Sequence, residues 1–412
     1  MHVGLEIALS DAQVDASQAA SQRQAAISVF PLGTSSSAAA PLNLCLVLDR
    51  SGSMQGNPLD TIKQAAKTLI EQLSNGDILS IVAFDHQAIV LVPSQTVGDR
   101  APLLAQIDAL KSAGGTNIDD ALKAGIEELA KAKKGTVSQL LLLTDGENEH
   151  GNNDRCQKLA HLAAEYNMTL NVLGLGDHWN QDVLEALSDA ASGTLLYVQR
   201  PEQARKAFAQ VLDRAQAVRL TNAYLTLTLA PGVRLAELKP LAQVAPETIE
   251  LLVQQADNQI TVRLGDLMVD APRVILANLY LGAIPAGEAA IAQAQITYDH
   301  PGLGQTSLKS DPRPITIRSS NSYQAAPNPE VQTHILALAK YRQTQIADSK
   351  LSQGDRPGAA TMLQTAAQTA LQMGDHQGAT ILQTHATQLQ TGQSLSEGDR
   401  KATRIASKTV LQ

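Results

Sequence analysis

The 412-residue chain has only two cysteines, Cys45 and Cys156. Neither belongs to a C-x-x-C pair, so neither a disulfide framework nor a cysteine-built zinc module is expected. A ubiquitin-ligase role, which needs a zinc-binding cysteine cluster, goes with them. The chain does not depend on an oxidising compartment. Basic residues are also few. Lys and Arg number 32 against 40 Asp and Glu, a formal net charge of -8, which argues against general nucleic-acid binding. No stretch reaches transmembrane length without polar residues. No basic segment followed by a long apolar core opens the chain. The expectation is a soluble, cytoplasmic protein with no transmembrane segment. A Gly-x-x-x-x-Gly-Lys-Ser/Thr phosphate loop is missing too, so any ATPase working with this protein would be a separate chain.

Two or three domains are expected at this length. Residues 1–40 hold short strand-like pieces, among them Val3 to Leu9 and Ala25 to Phe30, and Ser35 to Pro41 reads as a linker. Residues 42–215 alternate apolar runs (42–48, 78–84, 138–144, 169–174, 194–198) with helical patterns at about 58–73, 118–133, 154–166, 181–190 and 202–215. Near-continuous apolar strands between amphipathic helices predict an α/β fold, a doubly wound and mostly parallel sheet. Ala88 to Val92 follows its predecessor too closely for a crossover helix and reads as an antiparallel edge strand. Residues 218–320 switch to period-two alternation, with turns at Pro231-Gly232 and Asp257-Asn258, which predicts an antiparallel β-sandwich. The N-terminal strands are expected to join it, making the α/β domain an insertion. Residues 328–412 have helical spacing, with Val331, Ile335, Leu338 and Tyr341 on one face that reads as core. Gly354-Asp355 and Gly374-Asp375 recur before small-residue helices, as in a helical hairpin of the repeat type.

Three segments carry chemistry. Asp49-Arg50-Ser51-Gly52-Ser53 follows the first long apolar run, Gly114-Gly115-Thr116-Asn117 forms a glycine-rich turn, and Thr144-Asp145-Gly146 follows another apolar run. Sites in doubly wound sheets form beyond the carboxyl ends of strands, at the switch in strand order. Asp49 and Asp145 follow strands expected to be neighbours there. Oxygen-only donors suit a hard divalent cation such as Mg²⁺. Two carboxylates and three neutral hydroxyls no more than neutralise it. One coordination position is left for water, or for a Glu or Asp of a partner.

These residues resemble the von Willebrand factor type A family, whose metal-ion-dependent adhesion site combines Asp-x-Ser-x-Ser with a distant Thr and a distant Asp. The matching residues are Asp49, Ser51, Ser53, Thr116 and Asp145. Thr144-Asp145-Gly146 and Gly174-Leu175-Gly176 are also similar to that family, and the resemblance covers residues 42 to about 200. It implies a six-stranded sheet with an antiparallel edge strand. It further implies partner binding that depends on Mg²⁺, Mn²⁺ or Ca²⁺, without turnover, and a last helix (here 202–215) that moves when the partner binds. The leading expectation is a metal-dependent protein–protein binding module of the adhesion or scaffold type, not an enzyme. An unidentified protein would present a Glu or Asp to the metal. The alternative is an assembly or regulatory subunit acting with a separate AAA+ ATPase. The plain structural explanation of the five residues is that they cap helices and turns, with Ser53 as an N-cap.

Other polar residues receive blander readings. His150, in the cluster Asp145 to His150, reads as part of a solvated loop beside the site rather than an extra ligand. Glu147 and Glu149 read as tuning partner choice by repelling wrong acidic ligands. Cys45 reads as a buried small hydrophobe, and Asp85-His86 as loop polarity. Trp179 is either an exposed binding aromatic or a packing residue under its loop.

Overall fold

The computed structural model describes residues 2–33 and 40–408; most of the expected linker lies outside them. The chain opens with β1 (Val3–Leu9), β2 (Gln13–Asp15) and β3 (Ala20–Pro31). An alternating stretch follows: β4 (Leu42–Asp49), α1 (Asn57–Gln72), β5 (Ile78–Phe84), β6 (Ala88–Thr96), α2 (Ala101–Asp108), α3 (Ile118–Ala130), β7 (Val137–Thr144), α4 (Asn153–Glu165), β8 (Met168–Leu175), α5 (Gln181–Ala190), β9 (Leu195–Val198) and α6 (Ala204–Ala217). Next come β10 (Val218–Leu229), β11 (Val233–Leu235), β12 (Leu241–Ala245), β13 (Ile249–Glu250), β14 (Gln254–Ala256), β15 (Gln259–Met268), β16 (Arg273–Gly282), β17 (Gly287–His300), β18 (Gln305–Lys309) and β19 (Arg313–Ser320). The chain continues through α7 (Pro329–Ser352), α8 (Arg356–Gln372), α9 (His376–Gln390) and α10 (Glu397–Lys408). Among the described residues no helix is long and apolar enough to cross a membrane.

Two compact units form. One takes the described residues of Ser36–Asn222 with Asp299–Thr306, and the other the rest of the described chain. In the first, a six-stranded sheet runs β6-β5-β4-β7-β8-β9. Its pairs are parallel except β5 with β6. Strands β4, β7 and β8 are buried from end to end, as expected of parallel strands covered on both faces. On one face α3, α4 and α5 bring Leu122, Ala160 and Leu187 against Cys45, Val47, Leu140, Leu142 and Val172. Gly125 lets α3 lie close: a Cβ there would stand 2.8 Å from Leu140 Cδ1 and 2.9 Å from Val47 Cγ2. The sequence pattern did not show α2. At eight residues it is too short for its period to stand out, and its start is marked instead by Asp99, whose Oδ1 accepts from Ala101 N at 3.0 Å.

The second unit contains two further sheets and the C-terminal helices. One sheet runs β1-β3-β16-β12-β13, with β11 also on β16; the other runs β14-β15-β10-β17-β19-β2, with β18 on β17. The N-terminal strands therefore enter both sheets. Strand β3 pairs with β16 along ten positions, Ile27 opposite Ile275 among them. The pairing of β2 on β19 is parallel; no hairpin dictates the direction of strands so far apart in sequence. Helix α7 lies on the first sheet, where Val331, Leu338 and Tyr341 pack on Ala26, Val244, Val274 and Leu276; the face picked out by spacing is core. Asp11 fastens the chain entering α7, accepting from Gln13 N (2.8 Å), Tyr323 OH (2.8 Å) and Ala326 N (3.0 Å).

The repeated Gly-Asp pairs are matched helix starts. Gly354 and Gly374 have φ of 80° and 79°, a region open to glycine. Asp355 caps α8 through Gly358 N at 2.9 Å, and Asp375 caps α9 through Gly378 N at 2.8 Å. The second oxygen of each is differently paired. Asp355 Oδ2 meets the half-exposed Lys350 at 2.7 Å, whereas Asp375 Oδ2 meets Lys340, 1% exposed, at 2.8 Å.

Candidate functional site

Asp49 ends β4 and Thr144 ends β7, two parallel neighbours with Leu48 opposite Leu143. That adjacency brings their side chains together. Asp49 is fully buried. Its Oδ2 accepts from Thr144 Oγ1 at 2.6 Å and its Oδ1 from Ser51 N at 2.8 Å. Burial pushes its pKa up to about 6; the hydrogen bonds from Thr144 and Ser51 oppose the rise, and the charge of Asp145 adds to it. Asp145 stands on the next loop. Its Oδ1 accepts from Ser53 Oγ at 2.7 Å and Ser51 Oγ at 3.4 Å, and the two serine oxygens are 3.0 Å apart. Burial raises the Asp145 pKa as well, against those hydroxyl hydrogen bonds.

Asp49, Ser51, Ser53 and Asp145 thus form one connected set. Thr116 is buried, and its Oγ1 lies 3.1 Å from where a Cβ on Gly146 would stand. Its hydroxyl therefore faces the residue after Asp145. Neither serine caps a helix. Ser51 precedes a short 3₁₀ turn without making a side-chain cap, and α1 starts from Gly56. Asn117, not Thr116, caps α3, accepting from Asp120 N at 3.2 Å. Among the described residues no group of three or more His, Cys, Asp or Glu could hold a metal, so cation binding here would rest on hydroxyls beside the two carboxylates. One fully buried carboxylate and one half-buried one, both held by neutral donors, fit a divalent ion: ionising both is costly until a cation joins them.

The turn carrying Thr116 is tied to three loops. Gly52 N donates to Gly114 O (2.9 Å), Ala113 N to Arg50 O (2.8 Å), Asn117 N to Asp85 O (2.8 Å) and His150 N to Thr116 O (3.0 Å). Gly114 has φ +67°, and side chains crowd both glycines, His86 over Gly114 and His150 over Gly115. Asp85 is more than loop polarity. It is 1% exposed, pairs with Arg50 Nη2 at 2.7 Å, and accepts from Gln87 N at 2.8 Å. His150 is exposed at the rim. Trp179 is a packing residue: it is buried over Gly174, donates to Gly176 O at 2.7 Å, and meets Tyr197 edge-on at 5.9 Å. Cys45 is buried, and burial pushes its thiol up to about 12. The hydrogen bond from Thr144 to Asp49 and the Arg50–Asp85 pair are the parts that sequence reasoning missed. For Thr144 the available signal was its place one residue before Asp145, at the end of a strand beside β4.

A family model described as von Willebrand factor type A domain matches residues 43–210. Another, described as Sll0103-like, C-terminal alpha-helical domain, matches residues 329–412. Protein sll0103 of Synechocystis sp. is 55% identical over 412 residues, covering 100% of this chain and 98% of that protein. Among solved structures, the von Willebrand factor type A protein from Catenulispora acidiphila superposes with a TM-score of 0.85 at 16% identity, covering 100% of this chain and 98% of that one. The ArnB paralog VWA2 from Sulfolobus acidocaldarius gives 0.60 at 17% identity, covering 99% and 97%. These two likenesses are of fold. The full-length match to sll0103 shows the family, and this chain belongs with it: a von Willebrand factor type A domain protein carrying the Sll0103-like C-terminal helical domain.

Proposed function

We propose that the protein binds another protein through a divalent cation held by Asp49, Ser51, Ser53, Thr116 and Asp145, without catalysing a reaction. The observation that carries this reading is the turning of both serine hydroxyls toward Asp145, rather than to the helix starts beside them. Hard oxygen donors favour Mg²⁺, with Mn²⁺ or Ca²⁺ as alternatives. When bound, the cation supplies an open coordination position for a carboxylate oxygen of the partner. The chain's own residues do the rest. Asp49 is fixed by Thr144 and Ser51 N, so its charge is held rather than solvated. Ser51 and Ser53 add neutral oxygens and leave the cation a residual attraction for an acidic side chain. The exposed Glu147 and Glu149 bias that attraction against partners with flanking acids. Membership of a family of von Willebrand factor type A domain proteins supports a role in protein–protein interaction.

The test is affinity capture with the intact protein and with Asp49→Ala, each in Mg²⁺ and in chelator. Capture of a protein by the intact chain in Mg²⁺ alone supports the proposal. Equal capture in chelator by well-folded protein removes the cation from the mechanism.

A further inference from the structure

The site holds Thr116 differently from its other candidate ligands. Asp49, Ser51, Ser53 and Asp145 hydrogen-bond one another, whereas Thr116 is placed by its turn. That turn leads into α3, and the start of α3 is gripped from one side by the loop after Asp145. Asn148 Oδ1 accepts from Ile118 N at 2.7 Å. His150 N donates to Thr116 O at 3.0 Å. Asp119 is 3% exposed; its Oδ1 accepts from Asn152 N at 3.0 Å and its Oδ2 from Arg155 Nη1 at 2.6 Å. The same Arg155 nitrogen reaches Asp120 Oδ1 at 2.8 Å. A Cβ on Gly151 would stand 2.0 Å from Asp119 Oδ1 and 2.1 Å from Asn148 Oδ1, so a side chain there would displace both.

Asp119 does not cap its helix, since Asn117 does. Its charge in the first turn suits the helix dipole, but an exposed carboxylate would serve that purpose as well. Burial against a cation from another helix is a different arrangement. It joins the residues before and after the two loops into one clamp. A buried carboxylate stripped of its cation either moves toward water or draws water in. Either outcome strains the bond from Asn152 N to Asp119, one of the ties between the 146–152 loop and the start of α3.

We infer that Arg155 is a positioning residue for the metal site: by clamping Asp119 and Asp120 it holds the Asp145 loop against the start of α3 and so fixes the Thr116 hydroxyl beside Gly146. This rests on the proposed cation site. Loss of a group bonded directly to a metal ligand typically costs 10–100-fold in metal affinity, and Arg155, which acts one contact further out, belongs at the low end.

The experiment is a cycle of Mg²⁺ affinities by calorimetry on full-length protein: intact chain, Arg155→Met, Thr116→Ala, the double variant and Arg155→Lys. We expect Arg155→Met to weaken binding by about tenfold, and the double variant to bind no worse than Thr116→Ala alone. Arg155→Lys should recover part of the loss. Amide exchange of 146–152 in metal-free Arg155→Met should also rise. Equal affinity of Arg155→Met and the intact chain overturns the inference, as does a double variant whose losses add. Absence of Mg²⁺ binding by the intact chain overturns instead the site reading beneath it. Should Arg155→Met fail to fold, Asn148→Ala, which removes the bond to Ile118 N, takes its place in the same cycle: equal affinity or additive losses overturn the inference there too.

Discussion

Thr144 donates its hydroxyl proton to Asp49 across 2.6 Å, from the end of one parallel strand to the end of the next. A fully buried carboxylate oxygen is thereby satisfied by a neutral group. Thr144→Val keeps the shape and removes the donor. We predict a loss of about 1–3 kcal/mol, the cost of one unsatisfied buried acceptor, measured by urea unfolding without metal. An unchanged midpoint would mean that Asp49 finds another donor.

Cation binding should stabilise the α/β unit. At a hundredfold excess of Mg²⁺ over its Kd, mass action adds about 2.7 kcal/mol. Trp179 is the single tryptophan and is buried in that unit, so its fluorescence reports the transition. Asp49→Ala should melt at the same temperature with Mg²⁺ as with chelator. A Mg²⁺-dependent rise surviving in that variant would place the cation elsewhere.

Acid should weaken the helical region through His385. Its Nδ1 meets Thr403 Oγ1 at 2.5 Å and its Nε2 lies 3.4 Å from Asp399 Oδ1. Burial holds its pKa below the ordinary 6.5, with Asp399 pulling the other way. The neutral ring is thus the folded form. Its contribution is complete above pH 6.5 and is lost as pH falls through the lower folded value. Comparing His385→Asn with the intact chain at neutral pH and at pH 5 checks this: the variant should lose less stability on acidification. Parallel losses would clear His385 of a role.

Lys340 and Asp375 make a buried pair at 2.8 Å, and Lys340 also donates to Ala406 O at 3.0 Å. Lys340→Met strands a buried carboxylate and should cost about 3–5 kcal/mol. Lys340→Met with Asp375→Asn keeps the cap on α9 and removes the stranded charge, so it should be milder than Lys340→Met alone. A double variant as unstable as the single one would assign the loss to packing.

The sequence showed much of the α/β unit because its core strands are apolar throughout. Asp49 and Asp145 stood out as carboxylates directly after such runs, and Thr116 followed two glycines. What stayed hidden depends on register or on distance along the chain. Thr144 is an ordinary strand-ending threonine until β7 is known to lie beside β4. Asp85 looked like loop polarity because nothing local shows Arg50 turning back to it. The Asp119–Arg155 contact joins two helices across a strand and a loop, and neither residue carries a motif. The parallel pairing of β2 with β19 was equally unreadable, since hairpin logic governs only neighbours.

Strand β3 has one antiparallel partner, β1, close at hand, but its other partner is β16, which ends at Gly282. During synthesis the first of those strands leaves the ribosome long before the second. Chains fold from the N-terminus as they emerge, so the inserted stretch from β4 to α6 is fully delivered while the sheet it interrupts still has an open edge. An exposed strand edge is a template for unwanted pairing. Slowed translation between β10 and β16 would therefore prolong the interval in which that edge stands open to unwanted partners.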